Sequence, residues 1–269
     1  MIHLATAKLL TPATSLPGEF PFNIPVIRAF SELELTSEVT FLVGENGSGK
    51  STLLEALACA VGLPVVGSES VGADASLAHA RKLAKYLRLS WNRRTHNGFF
   101  MRAEDFFGFA KKVESMKREL EDDLVRVEQE TKGRSGLARG LAKMPYAKEL
   151  HGLKSRYGQG LDARSHGEAF LSLFQSRFVP NGLYLLDEPE APLSPVRQLS
   201  FLSLLKGMVA EQNAQFIIAT HSPIIMAFPN ATIYSLDGEV VKKVRYDEVE
   251  HVVITRDFLA NPERFMRQL

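Results

Sequence analysis

Gly44-Glu45-Asn46-Gly47-Ser48-Gly49-Lys50-Ser51-Thr52 is the stretch on which the reading of this sequence turns. Val39–Val43 before it is a compact apolar run of strand length, and Ser51–Val61 after it carries Leu53, Leu54, Leu57, Ala58 and Val61 at helical spacing. Gly62 and Pro64 supply the stop signal for that helix. A strand, a G-x-x-x-x-G-K-S loop and a helix in this order make a phosphate-binding loop. Its glycines let the backbone curl so that successive N–H groups and the helix N-terminus face negative charge. Lys50 is then expected to place its cation on the β- and γ-phosphates of ATP, with the Ser51 hydroxyl on Mg²⁺.

The bulk numbers set outer bounds. The chain has 269 residues, a net charge of +1 and 45% hydrophobic residues, as one large α/β domain with an inserted lobe would. Cys59 is the single cysteine, so no internal disulfide is possible and a reducing cytoplasm is expected. No secretion signal is legible at Met1–Leu16, and no apolar run approaches the roughly 20 residues of a membrane span, so no membrane insertion is expected.

Along the chain the texture changes twice. Residues 1–64 and 161–269 read as a nucleotide-binding core, with N-terminal antiparallel strands followed by buried strands separated by helices. That pattern implies an α/β fold with a mostly parallel sheet flanked by helices. Residues 65–160 read as an inserted helical lobe. In it Phe106, Phe109, Val113, Met116, Leu120, Leu124 and Val127 mark an amphipathic helix, and Gly133–Gly136, Gly140 and Gly158–Gly160 mark loop. Downstream, Gly167–Phe178 reads as a helix, Leu183–Leu186 and Phe216–Ala219 as buried strands, and Ser194-Pro195 as the start of a helix with its stripe on Val196, Leu199, Leu202, Leu205 and Val209.

Leu183-Tyr-Leu-Leu-Asp187-Glu188-Pro189 is an apolar strand ending in two acids. Asp187 is expected to reach Mg²⁺ from the carboxyl end of a strand beside the loop strand, where open α/β sheets bind ligands. Glu188 is placed to polarise an attacking water, a task for a carboxylate within hydrogen-bond reach. Together with Ser165-His-Gly-Glu168 and Thr220-His221-Ser222, these stretches resemble the ATP-binding-cassette (ABC) ATPases in kind, order and spacing. The run Arg164–Phe170 looks like that of a stand-alone, non-transporter group of predicted ATPases related to DNA-repair and chromosome-maintenance ATPases.

The resemblance implies that Ser165 and the Gly167 backbone complete the ATP site of a second subunit, and that His221 contacts the γ-phosphate. It implies a head-to-tail homodimer around two MgATP. It also implies a glutamine after the first crossover; none is evident, and Glu104 is the candidate acceptor near that place. Ser165-x-x-Glu168 is equally a sound capping box. Glu168 and the missing glutamine argue against a transporter subunit, which stays as one alternative beside a small-molecule phosphotransferase.

Two basic runs bear on partners. Arg81, Lys82, Lys85, Arg88, Arg93, Arg94 and Arg102 fall in 81–102, and Lys132, Arg134, Arg139, Lys143, Lys148, Lys154 and Arg156 in 132–156. Such runs can neutralise nucleic-acid phosphates, with Tyr86 and Trp91 available to stack on bases; acids in 104–130 can equally balance them. The expectation is a cytoplasmic ATPase coupling hydrolysis to movement of a nucleic-acid or protein partner in repair or defence.

Overall fold

The computed structural model describes residues 1–66, 75–157 and 166–267. The chain divides into two compact units, one of Met1–Ala103 with Phe178–Leu269, the other Glu104–Arg177.

The first unit is built on two sheets. Strands β1 (Leu4–Leu9), β2 (Glu32–Glu34) and β4 (Leu87–Trp91) form an antiparallel sheet in the order β2-β1-β4. Strands β3 (Val39–Val43), β5 (Gly98–Arg102), β6 (Leu183–Asp187), β7 (Gln215–Ala219), β8 (Thr232–Ser235) and β9 (Lys242–Val244) form the other, in the order β5-β6-β7-β3-β8-β9. Its first five members run parallel, and β9 pairs antiparallel to β8 at the edge. Every residue of β3, β6 and β7 is buried, because helices cover both faces of a parallel sheet.

Parallel pairing brings the carboxyl ends of β5, β6, β7, β3 and β8 to one edge, and each delivers polar residues there: Arg102, Asp187, Thr220, the glycine loop and Asp237. The expectation for Asp187 needs one correction. Strand β6 is not beside β3; β7 lies between them. The continuous apolar runs fix that both strands are central but carry no information on their order.

Around this sheet lie α1 (Pro25–Arg28), α2 (Lys50–Val61), α3 (Ala78–Ala84), α7 (Pro195–Gln212), α8 (Pro223–Met226), α9 (Glu250–Ala260) and α10 (Pro262–Met266). Gly49 at φ 98° and Gly62 at φ 80° bound α2, as left-handed glycines commonly do at a helix end. Asn261 caps α10, its side chain accepting from the Arg264 N–H. Ser194 stands at the start of α7 but makes no capping bond, and Val196 and Leu199 of the expected stripe are exposed at 71% and 58%. The buried face of α7 is Phe201, Leu205 and Met208.

The second unit holds α4 (Ala103–Glu130, entering from the first unit), α5 (Gly136–Tyr157) and α6 (His166–Arg177). Glu128 of α4 pairs with Arg139 and Lys143 of α5, and Glu121 with Lys154, so the two helices run antiparallel as a hairpin. Phe106, Phe170 and Phe174 meet edge to face, tying α4 to α6. Residues 133–135 form the expected turn, but helix α5 corrects the loop expected at Gly136 and Gly140. Its Ala, Leu, Lys and Arg content favours helix, and packing against α4 outweighs the glycines and the internal Pro145. Gly158–Gly160 lie outside the described residues. The divisions expected at 64 and 161 also shift. β4 pairs with β1 and β5 with β6, so residues 75–103 belong to the first unit, whereas α6 belongs to the helical one.

Candidate nucleotide site

The loop after β3 is shaped by backbone conformations that only glycine adopts readily. Gly44, Gly47 and Gly49 have φ of 145°, 82° and 98°. A Cβ at Gly44 would fall 2.8 Å from Asp237 Oδ1, and one at Gly49 3.0 Å from Val26 Cγ1. Asp237, at the end of β8, accepts the Glu45 N–H at 2.7 Å and so moors the loop from across the sheet. Lys50 is buried, and its Nζ donates to the carbonyls of Gly44 (2.6 Å) and Glu45 (2.9 Å). Burial lowers its pKa, against the pull of Glu188, Asp187, Asp237 and Glu45.

Ser48 Oγ is buried with no hydrogen-bond partner among the described residues. Such an orphaned group costs free energy unless a ligand satisfies it, and phosphate oxygens suit a hydroxyl donor. A cavity of about 430 Å³ adjoins the loop, lined by Ile24, Val26, Asn46, Ser48, Leu236 and Asp237 among others. Phe22 and Phe30, the aromatics upstream of the loop, are core residues at 1% and 5% exposure, so neither presents a face for adenine.

Asp187 ends β6 and its Oδ1 accepts from Ser51 Oγ at 3.2 Å. Burial pushes its carboxyl up to about 7, with Glu188 and Glu55 adding to the shift and the Ser51 bond and Lys50 opposing it. A buried carboxylate beside a hydroxyl at a helix N-terminus is a donor set of hard oxygens that suits Mg²⁺. Glu188 follows in the left-handed region at φ 49°, a conformation uncommon outside glycine and concentrated at functional sites. That turn puts its Oε1 3.5 Å from His221 Nε2.

His221 is held from three sides. Glu190 Oε1 accepts both the His221 N–H and the Thr220 hydroxyl at 2.7 Å. Burial raises the Glu190 carboxyl, partly offset by those bonds. The ring Nδ1 lies 2.9 Å from His251 Nε2, contributed by the first turn of α9. Burial lowers the pKa of His221, Lys50 and His251 push the same way, and Glu188 and Glu45 oppose.

Arg102 lies in the stretch Gly98–Glu104, near which the resemblance implies a glutamine. It ends β5 opposite Asp187 in register, nearly buried, with Nη1 3.1 Å from Ser76 Oγ and 3.5 Å from Glu55 Oε1. Glu55, buried on α2, also bonds His79 Nε2 at 2.8 Å, and burial raises its carboxyl. Glu104 opens α4 in its first turn, where helix-starting acids sit.

The tertiary structure thus gathers Gly44–Thr52, Asp187, Glu188 and His221. Ser165 lies outside the described residues, and Gly167 contributes only its backbone in α6. Sequence reasoning missed Asp237, Glu190 and His251, and placed Arg102 only in a basic run. Glu190 and Asp237 follow strands closely enough to have been candidates, whereas nothing local marks His251. Of the basic runs, Arg102 and Lys82 pair with Glu55 and Glu19, and Arg139, Lys143 and Lys154 with acids of α4. The acids of 104–130 therefore balance part of the second run.

The chain is similar to known proteins as follows. Residues 23–150 match the model described as "AAA domain", and residues 100–227 one described as "AAA domain, putative AbiEii toxin, Type IV TA system". The chain is 24% identical over 260 residues to a macrolide export ATP-binding/permease protein MacB of Psychrobacter arcticus, covering 93% of this chain and 36% of that protein. The chain spans about a third of the length of the macrolide exporters it matches. It is 28% identical over 230 residues to a lipoprotein-releasing system ATP-binding protein LolD of Hahella chejuensis, covering 82% and 89% of the two chains. Among solved structures it is similar to a nucleotide-free ATP-binding cassette of an ABC transporter, at 16% identity over 98% and 97% of the chains with a TM-score of 0.47. Among the described residues no helix is long and apolar enough to cross a membrane.

Proposed function

We propose that the chain is an ATPase of the ABC type and the nucleotide-binding subunit of a larger assembly, hydrolysing MgATP to drive a membrane-transport partner. The observation that carries the hydrolytic step is the left-handed turn at Glu188, which aims a carboxylate at His221 beside the Lys50 loop. In this reading the loop N–H groups and Lys50 hold the β- and γ-phosphates, and Lys50 exchanges its two loop carbonyls for phosphate oxygens. Ser51 and Asp187 hold Mg²⁺, which supplies charge neutralisation on those oxygens when bound. Glu188 orients and polarises the attacking water, and His221 contacts the γ-phosphate. Ser165 and Gly167 of a second copy complete the site in a head-to-tail dimer. Loss of the γ-phosphate then removes the bridge between copies and shifts the pair toward an open state.

The exporter and lipoprotein-release relatives support a transport partner and reverse the ranking that Glu168 and the absent glutamine suggested. A second reading, an ATPase acting without a permease on nucleic acid or in a defence system, is favoured by Glu168, by the absent glutamine and by the toxin-type family model. The test is hydrolysis and co-purification together. Glu188→Gln should slow turnover by at least about a hundredfold while the protein still binds ATP. Purification of the tagged chain from detergent-solubilised membranes should carry an integral membrane protein with it. Recovery without a membrane partner, combined with salt-sensitive stimulation by DNA, would overturn the transport reading in favour of the second.

A further inference from the structure

The ring of His221 has two nitrogens with different surroundings, and only one of them faces Glu188. Nε2 is buried, lacks a hydrogen-bond partner among the described residues and looks toward Glu188 Oε1 at 3.5 Å. Nδ1 looks the other way, onto His251 Nε2 at 2.9 Å. His251 belongs to α9, thirty positions further along the chain, and to no motif of the loop, the acid pair or the switch.

Between two neutral imidazoles a contact of this kind holds one proton, and its owner decides what the far nitrogen can do. If His221 Nδ1 donated, its Nε2 would be a bare lone pair turned toward a carboxylate and toward the place of the γ-phosphate, acceptor against acceptor. If His251 Nε2 donates, His221 carries its proton on Nε2 and presents a donor to both. The charges nearby select the second arrangement. Glu45 Oε1 lies 3.9 Å from the same His251 nitrogen, and Glu188 is on the far side of His221, so both carboxylates draw protons onto the two Nε2 atoms. Lys50, on the phosphate loop, is the cation that acts on His221.

We propose that His251 is a positioning residue that donates from Nε2 to His221 Nδ1 and thereby fixes His221 as an Nε2–H donor to the γ-phosphate. Helix α9 is thus part of the hydrolytic site. This rests on the reading of His221 given above, and goes beyond it by naming what sets the proton. Glu45 Oε1 lies 3.9 Å from the same nitrogen, so His251 stands between the phosphate loop and the switch.

The test uses His251→Phe, which keeps a ring but cannot donate, and His251→Gln, whose Nε2 keeps a donor near the same place. His251→Phe should lower kcat by at least about tenfold with KM within about twofold, since the donor is needed most where charge develops on the phosphate. His251→Gln should stay within about threefold of wild type. Both should melt within a few degrees of wild type, and nitrogen-15 shifts of His221 at neutral pH should show the proton on Nε2 in wild type. Equal rates for the two variants, or a proton on Nδ1 of His221 in wild type, overturn the proposal. A slow Glu188→Gln beside a fully active His251→Phe sinks this inference alone. A Glu188→Gln that turns over normally sinks the site on which it rests.

Discussion

Ser51 Oγ donates a 3.2 Å hydrogen bond to Asp187 Oδ1 across 136 residues of sequence, joining the first turn of α2 to the end of β6. Two residues that read separately as ligands of one metal are in place against each other before any metal arrives. Each satisfies the other in the meantime, which keeps a buried carboxyl from being left without a partner.

That arrangement makes metal binding proton-linked. Asp187 is pushed up to about 7 by burial, so near and below that pH it carries a proton that Mg²⁺ must displace. MgATP titrated calorimetrically in buffers of different ionisation enthalpy should show proton release that grows as pH falls toward 6, and Asp187→Asn should abolish it. For the ligand-free protein the sign is opposite to that of a salt-bridged acid. The folded state holds the proton where the unfolded state has lost it, so stability declines as pH rises from about 4 to 7. The Asn variant should flatten that slope.

Glu190 holds the backbone and hydroxyl of the switch through one oxygen, while its other oxygen is buried without a partner among the described residues. Its carboxyl is raised from an ordinary value of 4.5, chiefly by burial. Glu190→Gln keeps the acceptor and removes the ionisation. Its stability relative to wild type should improve as pH rises from 4 to neutrality, read as the difference in Tm between the two proteins. Glu190→Ala leaves two donors unbonded and should reduce kcat by loosening His221. An Ala variant with wild-type turnover would falsify the mooring role.

Gln215, fully buried at the start of β7, accepts the N–H groups of His3 and Leu4 at 2.8 Å and donates to the Leu4 carbonyl at 2.9 Å. It ties the antiparallel sheet to the parallel one, as Tyr234 Oη also does through the Glu34 carbonyl at 2.7 Å. Gln215→Ala strands two backbone donors and should cost about 2–4 kcal/mol in urea unfolding, with nucleotide affinity little changed in the folded fraction.

Gly98 opens β5 at φ 123°, and a Cβ there would fall 1.8 Å from the Leu183 carbonyl oxygen of β6. Neither the backbone nor the carbonyl can yield without breaking the pairing. Gly98→Ala should destabilise by more than about 3 kcal/mol or prevent soluble expression. Gly47→Ala, with no atom within 4 Å of its Cβ, should strain only the local backbone and lower nucleotide affinity with a much smaller change in Tm.

Periodicity and punctuation made the central strands and α2 legible, because a covered parallel sheet leaves unbroken apolar runs and a phosphate loop leaves fixed glycines. The same cues failed at α5, where Gly136 and Gly140 read as loop and the pairing of Glu128 and Glu121 with basic residues of α5 supports a helix. They failed again on α7, where Val196 and Leu199 fit the stripe but face outward. A helical period says which residues share a face and not which part of that face another element covers.

The sequence by itself located the candidate residues: the loop from Gly44 to Thr52, the acids 187 and 188 and the histidine 221 each end or follow a strand, and local pattern is enough to find them. Only the tertiary structure decided what surrounds them. Strand order set β7 between β3 and β6, put Arg102 beside Asp187, and brought Asp237, Glu190 and His251 to the same edge. These partners are fixed by parallel pairing and helix packing across long stretches of chain, interactions that leave no mark on the residues next to them in sequence.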